Sequence, residues 1–301
     1  MMWYLQESNQ GHMDFQSIAL PTELRYRAQC GCKYKMIFNL TKTNTKKKLF
    51  VTLGIKNSIM LLTVDVGNTK IKTAVFEQNT VVKIFIFDIE EFENKLRCIL
   101  DEFKKIKKLV VSSVGNIEKD FFLSFKDSVE VHFITHNSNF PFTNLYSTPT
   151  TLGIDRMVLA AGAVLQFPAQ NRLVIDAGTC ITYDFVDCKD NYLGGAISPG
   201  IRLRYESLHQ QTAKLPLLQK KYPANYVGKS TEESIHSGIV NGVLLEIDGF
   251  VELYRFQYAK FIIILTGGDA DFLAMQLKNT IFANSNFLLE SLNQTFQYNQ
   301  K

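Results

Sequence analysis

The chain has 301 residues, 46% of them hydrophobic and 21% charged, enough for one large or two ordinary domains with sizeable cores. No apolar run approaches the roughly 18 residues of a membrane-spanning helix, so no membrane partner is expected. The five cysteines, Cys30, Cys32, Cys98, Cys180 and Cys188, are odd in number, scattered and without a CxxC pair, which suits a reducing, cytoplasmic setting and argues against a disulfide framework or a zinc site.

The net charge of +4 is unevenly spread. Residues 1–59 hold nine Lys/Arg and three Asp/Glu, a balance of +6, leaving 24 basic (33 − 9) and 26 acidic (29 − 3) residues, a balance of −2, for the remainder. That slightly acidic body does not suit a nucleic-acid partner. The first 59 residues show no sustained helical or strand periodicity and lack the pattern of a secretory signal. The functional chain is expected to start at Met60, with the upstream segment a disordered tail or a translation-start artefact.

From Met60 the elements alternate. Strands are predicted at 61–66, 71–77 and 80–87, then a helix at 90–104, a strand at 109–113, a helix at 117–126 and a strand at 129–134. A helix follows at 155–167, strands at 172–176 and 181–187, helices at 200–211 and 231–257, a strand at 260–265 and a helix at 269–279. This order implies an α/β architecture with mostly buried strands. The run Lys104-Lys105-Ile106-Lys107-Lys108 reads as the solvated end of the 90–104 helix, where cations are favoured.

Two segments repeat one pattern. "LLTVDVGNTKIKTAVF" (61–76) and "RLVIDAGTCITYDFV" (172–186) each run from an apolar strand through Asp-x-Gly and Asn/Thr into a second apolar strand, with Asp65 and Asp176 111 residues apart. A duplicated strand–turn–strand suggests two pseudo-equivalent domains facing each other across a cleft. Gly67 and Gly178 allow a sharp turn and a close ligand approach. Thr69 and Thr179 add hydroxyls, and the turn adds backbone N–H groups, which suit phosphate oxygens. The aspartates would be repelled by phosphate directly, and make sense beside a hydrated Mg²⁺ that neutralises it. A third glycine element, "FIIILTGGDA" (261–270), carries a strand into Thr266-Gly267-Gly268, a plausible nucleoside seat, with Asp269 placed to cap the next helix.

Taken in order, "DVGNTKIK" (65–72), "TLGIDR" (151–156), "VIDAGTCITYDFV" (174–186), "GGAISPG" (194–200), "GKST" (228–231) and "LTGGDA" (265–270) resemble the type III pantothenate kinases. These belong to the acetate and sugar kinase/Hsp70/actin superfamily. The resemblance covers nearly all of 60–301 and none of 1–59, and LGIDR is its specific part. It implies an α/β fold of two duplicated actin-like (ribonuclease H-like) domains, 60–165 and 166–301, with an ATP cleft between them. It also implies transfer of the ATP γ-phosphoryl to pantothenate, giving 4′-phosphopantothenate, the first step of coenzyme A biosynthesis.

The site residues follow from the same resemblance. Asp155 is expected to be the proton acceptor. Asp65, Val66, Gly67, Asn68, Thr69, Lys70, Ile71, Lys72 and Thr179 are expected at ATP, with Asp65 the carboxylate on the Mg²⁺ side. Tyr146, Gly153, Ile154, Asp155, Arg156 and Thr231 are expected at pantothenate, Arg156 either holding the acceptor's carboxylate or fixing the site. Asp176 is expected to bind a monovalent cation, potassium or ammonium. A homodimer is implied, with the helical stretch 234–254 either its interface or a plain core helix. Cys180 stands where the family commonly has alanine. Arg202 and Arg204 face phosphate or solvent, and His209 and His236 are surface or packing positions. Two other functions are compatible with the turns alone: a kinase for another hydroxylated acceptor, and a non-catalytic regulator of the same fold. Retention of Asp65, Asp155 and Asp176 favours the kinase.

Overall fold

The structure, a computed structural model, describes residues 60–67, 70–113, 117, 119–279 and 281–300. The expectations for 1–59, Asn68 and Thr69 lie outside the described residues. The first sheet is built around β1 (Met60–Val66), which is buried along nearly its whole length. Burial on both faces explains why it reads as a continuous apolar run. Antiparallel β2 (Lys70–Glu77) lies on one side of it and parallel β4 (Ile106–Ser113) on the other. With β3 (Thr80–Asp88) and β5 (Glu130–Phe133) at the edges, the order is β3-β2-β1-β4-β5. Helix α1 (Phe92–Glu102) buries Phe92, Leu96 and Ile99, one helical stripe, against this sheet, and α2 (Lys119–Leu123) adds Phe122 to the same cluster.

The second sheet repeats that plan. Its strands are β6 (Thr143–Asn144), β7 (Arg172–Ala177), β8 (Cys180–Val186), β9 (Asn191–Pro199), β10 (Ile262–Thr266) and β11 (Phe282–Ala283), ordered β11-β10-β7-β8-β9-β6. Without the two-residue β6, the series β9-β8-β7-β10-β11 matches β3-β2-β1-β4-β5 strand for strand. The hairpin partners are antiparallel and the crossover partners parallel in both sheets. The duplication seen at two turns therefore extends to the topology of both sheets, in keeping with the expected duplicated α/β fold.

Helix α3 (Ile154–Gln166) is buried at every position from Arg156 to Val164. Later helices are α4 (Ile201–Gln210), α5 (Thr231–His236), α6 (Gly242–Gln257), α7 (Ala270–Ala274) and α8 (Phe287–Tyr298). Helix α8 lies so close to α3 that a Cβ on Gly162 would stand 1.9 Å from Ser291 Oγ. One apolar cluster joins Leu61 and Phe76 of the first sheet, Val158 of α3, Val186 of the second sheet, and Leu289 and Phe296 of α8.

Several elements differ from expectation. The lysine run does not end a helix: α1 stops at Glu102, and Ile106, buried, opens β4. The 231–257 helix is interrupted by a π turn over Ser237–Asn241, next to Gly242. The 269–279 helix shortens to α7. Strand β9, not among the expected strands, contains Gly194, Gly195 and Pro199, residues that disfavour a strand interior. Gly194 has φ +104, and a Cβ on Gly195 would fall 1.5 Å from Tyr183 O, so the neighbouring strand's closeness demands the glycine. Helix α8, polar along much of its sequence, was not anticipated. Among the described residues no helix is long and apolar enough to cross a membrane.

Candidate active site

Both Asp-x-Gly turns occupy the carboxyl ends of central strands. Asp65 on β1 stands in register between Lys72 of β2 and Ser112 of β4, and Ser112 Oγ donates to Asp65 Oδ1 at 3.3 Å. Asp176 on β7 stands between Thr182 of β8 and Thr266 of β10. The Gly67 N–H donates to Lys70 O at 3.2 Å and the Gly178 N–H to Cys180 O at 2.9 Å. The second turn is one residue shorter, so Cys180, exposed, takes the place of Lys70. A Cβ on Gly67 would stand only 3.0 Å from Lys70 O, which answers why the strand ends in glycine.

These turns open into one cleft of about 580 Å³, which also receives Lys72, Tyr146, Asp155, Thr179 and the Thr266–Asp269 segment. Burial, reinforced by repulsion from Asp155 and Asp176, pushes the Asp65 carboxyl up to about 7 from an ordinary 3.8, against the opposing effects of Lys72 and Ser112. Burial likewise pushes Asp176 up to about 6, with Lys72 opposing and Asp155 and Asp184 adding to the rise. Four aspartates line this space: Asp155 repels both Asp65 and Asp176, and Asp269 pairs with Lys220, while Lys70, Lys72, Arg156 and Arg202 line it as well. Among the described residues no group of three or more His, Cys, Asp or Glu side chains is placed to hold a metal ion.

Helix α3 positions the third carboxylate. Its N-cap is Gly153, whose carbonyl accepts from Met157 N at 3.1 Å, and Asp155 lies in the first turn, where a negative charge is favoured. A Cβ on Gly153 would stand 2.3 Å from Asp155 Oδ1, so the carboxylate folds back over the glycine. The next residue behaves differently. Arg156 is buried and donates to Asp184 Oδ1 through Nε at 2.8 Å and Nη2 at 2.7 Å. Burial opposes its charge, but Asp184 outweighs that and raises the guanidinium pKa. Tyr192 Oη donates to the same Asp184 oxygen at 2.5 Å and Thr182 Oγ1 to the other at 3.1 Å. Arg156 also sits 5.8 Å from the Tyr146 ring centroid.

The structure brings Asp65, Gly67, Lys70, Lys72, Tyr146, Gly153, Asp155, Arg156, Asp176 and Thr179 to one cleft. Val66 and Ile71 are fully buried in the first sheet's core and offer a ligand only their backbone, and Ile154 is buried as well. Thr231, exposed at the start of α5, lines a second cavity of about 1290 Å³ with Arg204 and Lys229 and is not part of the cleft wall. Asp269 occupies the N-cap position of α7 but makes no capping bond; its carboxylate pairs with Lys220. Arg202 pairs with Glu206 and Arg204 with Glu246. His236 bonds Tyr205 Oη at 2.6 Å, a packing role. Sequence reasoning missed Ser112 and Asp184. The only signal for Asp184 was a charged residue inside the apolar run 181–186.

A family model described as type III pantothenate kinase matches residues 61–253. A type III pantothenate kinase of Flavobacterium johnsoniae is 65% identical over 239 residues, covering 79% of this chain and 98% of the relative. That of Christiangramia forsetii is 45% identical over 241 residues, covering 80% and 99%. Among solved structures, a Campylobacter jejuni protein described as a Baf family transcriptional activator superposes with a TM-score of 0.55 at 24% identity, covering 79% of this chain and 98% of that one. This last likeness is one of fold.

Proposed function

The chain belongs to the type III pantothenate kinase family, and we propose that its cleft transfers the γ-phosphoryl group of ATP, carried with Mg²⁺, to pantothenate with Asp155 as the base. The carrying observation is the Asp155 carboxylate, folded over Gly153 at a helix start, in the same cleft as both Asp-x-Gly turns. Phosphoryl transfer needs positioning and charge neutralisation more than covalent help. Asp155 accepts the proton of the acceptor hydroxyl as that oxygen bonds to phosphorus and the bond to the ADP oxygen breaks. The turns that follow Gly67 and Gly178, with Thr179, face the phosphates, and Lys72 offsets their charge.

Asp65 would face the divalent ion: its buried carboxylate lies on the cleft wall, accepts a hydrogen bond from Ser112 at one oxygen, and has lone pairs left for a hydrated cation that would favour its ionised form. Mg²⁺, when bound, draws charge from the phosphoryl oxygens. Asp176 would hold the monovalent cation. Arg156, with two donors committed to Asp184, fixes the acceptor wall and steadies Tyr146.

The enzyme works as a cytoplasmic homodimer, its duplicated halves spanning 60–165 and 166–301. The outer face of α6 exposes Leu245, Leu253 and Phe256, the last 96% exposed. Gly238, Gly242 and Gly249 leave open space beside that helical stretch. Thr231, outside the cleft wall within one chain, is assigned in this reading to the pantothenate pocket of the neighbouring subunit.

The test is pantothenate-dependent ADP release by the full chain with Mg²⁺, beside Asp155→Asn. Turnover abolished by the substitution supports the assignment. A folded wild type that releases no ADP with pantothenate would defeat it.

A further inference from the structure

Each central aspartate is flanked in register by one residue on either side. The first sheet reads Lys72–Asp65–Ser112 and the second Thr182–Asp176–Thr266. The rows differ in two respects. Ser112 Oγ donates to its aspartate, whereas the Thr266 hydroxyl, on a residue 1% exposed, has no hydrogen-bond partner among the described residues. The first row also contains Lys72, whose charge reaches Asp176 as well as Asp65, where the second has Thr182, whose hydroxyl is directed to Asp184.

A buried hydroxyl without a partner destabilises the ligand-free fold, and each such group in a native structure calls for a reason. Thr73, Ser291 and Tyr222 hold comparable groups, but none of those residues lines the cleft; Thr266 does. The Asp176 carboxylate leans toward the same strand end, since a Cβ on Gly267 would stand 2.4 Å from Asp176 Oδ1. A carboxylate and a hydroxyl side by side, unbonded to each other, present oxygen lone pairs to a shared partner. A phosphate oxygen in that position would be repelled by Asp176. A weakly hydrated monovalent cation, which binds by exchanging water for protein oxygens, would be attracted.

We propose that Thr266 is a cation-holding residue, its hydroxyl oxygen and the Asp176 carboxylate binding the monovalent cation together. This rests on the reading of Asp176 as the cation-side carboxylate and adds a ligand to it. The row comparison gives the reason: Ser112 hydrogen-bonds its aspartate, whereas Thr266, in the matching register position, leaves both its own hydroxyl and the facing Asp176 oxygen open to an ion from solution.

The experiment compares wild type, Thr266→Val and Thr266→Ser in the full chain. Thermal midpoints are measured in KCl and NaCl at equal ionic strength, and calorimetry follows binding of a non-hydrolysable ATP analogue with Mg²⁺ in each salt. The valine variant, equal in shape and free of the unmet hydroxyl, is expected to melt higher than wild type without ligand. It should lose the potassium-specific stabilisation, and its analogue affinity should fall about tenfold in KCl and stay unchanged in NaCl. The serine variant should retain both potassium effects. Should the valine variant fail to fold, Thr266→Ala replaces it in the same comparison. An undiminished potassium shift in the hydroxyl-free variant overturns the proposal, as does a wild type that does not distinguish the two salts. Equal loss of analogue affinity in both salts also overturns it, by assigning the hydroxyl to the nucleotide. None of these readouts involves pantothenate, so a failure of the acceptor assignment is separately visible in the ADP-release assay.

Discussion

Asp155 and Gly153 are matched in shape: the carboxylate occupies the space a side chain at 153 would need, with Oδ1 2.3 Å from the position of a Cβ. Since the blocking atom belongs to the carboxylate proposed as the base, Gly153→Ala must push that carboxylate aside and leave the helix intact. We expect Gly153→Ala to keep the wild-type melting temperature within a few degrees and to lose on the order of 100-fold in kcat, the cost of misplacing a reacting group by about 1 Å. Steady-state kinetics beside a thermal melt check this, and an unchanged kcat would remove Asp155 from the base role.

The raised carboxyls give a pH dependence of known sign. The folded chain keeps protons on Asp65 up to about 7 and on Asp176 up to about 6, while the ordinary value is 3.8 for both. Across that window the folded state binds more protons than the unfolded state, so ligand-free stability falls as pH rises from about 4 to about 7. Asp65→Asn should flatten the upper part of this slope in urea titrations. Binding of Mg²⁺ with an ATP analogue near pH 6 should release protons, seen as calorimetric heats that vary with the buffer's ionisation enthalpy.

The two glycines of the third turn should separate. Gly267 has φ +98, and a Cβ there would lie 2.4 Å from both Ala177 O and Asp176 Oδ1; at Gly268 nothing lies within 4 Å. Gly267→Ala is expected to destabilise the fold by about 1–3 kcal/mol through backbone strain alone. Gly268→Ala should leave the melting temperature unchanged and still weaken nucleotide binding, because the added methyl would face a ligand lying on the backbone. Equal nucleotide affinity in Gly268→Ala and wild type would count against a nucleoside seat at this turn.

The Arg156–Asp184 pair is buried on both sides, with side-chain exposures of 7% and 0%. Removing one partner leaves the other charged and uncompensated, so Asp184→Ala is expected to cost about 3–5 kcal/mol in urea unfolding. Arg156→Met with Asp184→Leu should recover most of that stability. The double variant should still show a raised KM for pantothenate, since the wall that carries Tyr146 has lost its anchor.

Much of the site was legible because its signals are local. An apolar strand ending in Asp-x-Gly reads the same in isolation as in the fold, so Asp65 and Asp176 could be paired by inspection. Gly153 and Asp155 are separated by one residue and share a helix start. Strand β9 was hidden because its glycines answer to Tyr183 and Tyr146 on other segments, which no window around residue 194 contains. Helix α8 was hidden because its polar residues find distant partners, as when Asn293 Nδ2 donates to Gln78 O across 215 positions.

What the sequence alone determined is therefore the chemistry of each turn and the fact of its repetition, since steric freedom at glycine and the apolar period of a strand are properties of a few consecutive residues. Only the tertiary structure decided that Asp184, 28 positions away, would neutralise Arg156, that Thr231 would lie outside the cleft wall, and that Thr266 would stand beside Asp176 with its hydroxyl unmet. These depend on strand register and on which charges are excluded from water together, and register is set by long-range pairing of whole sheets.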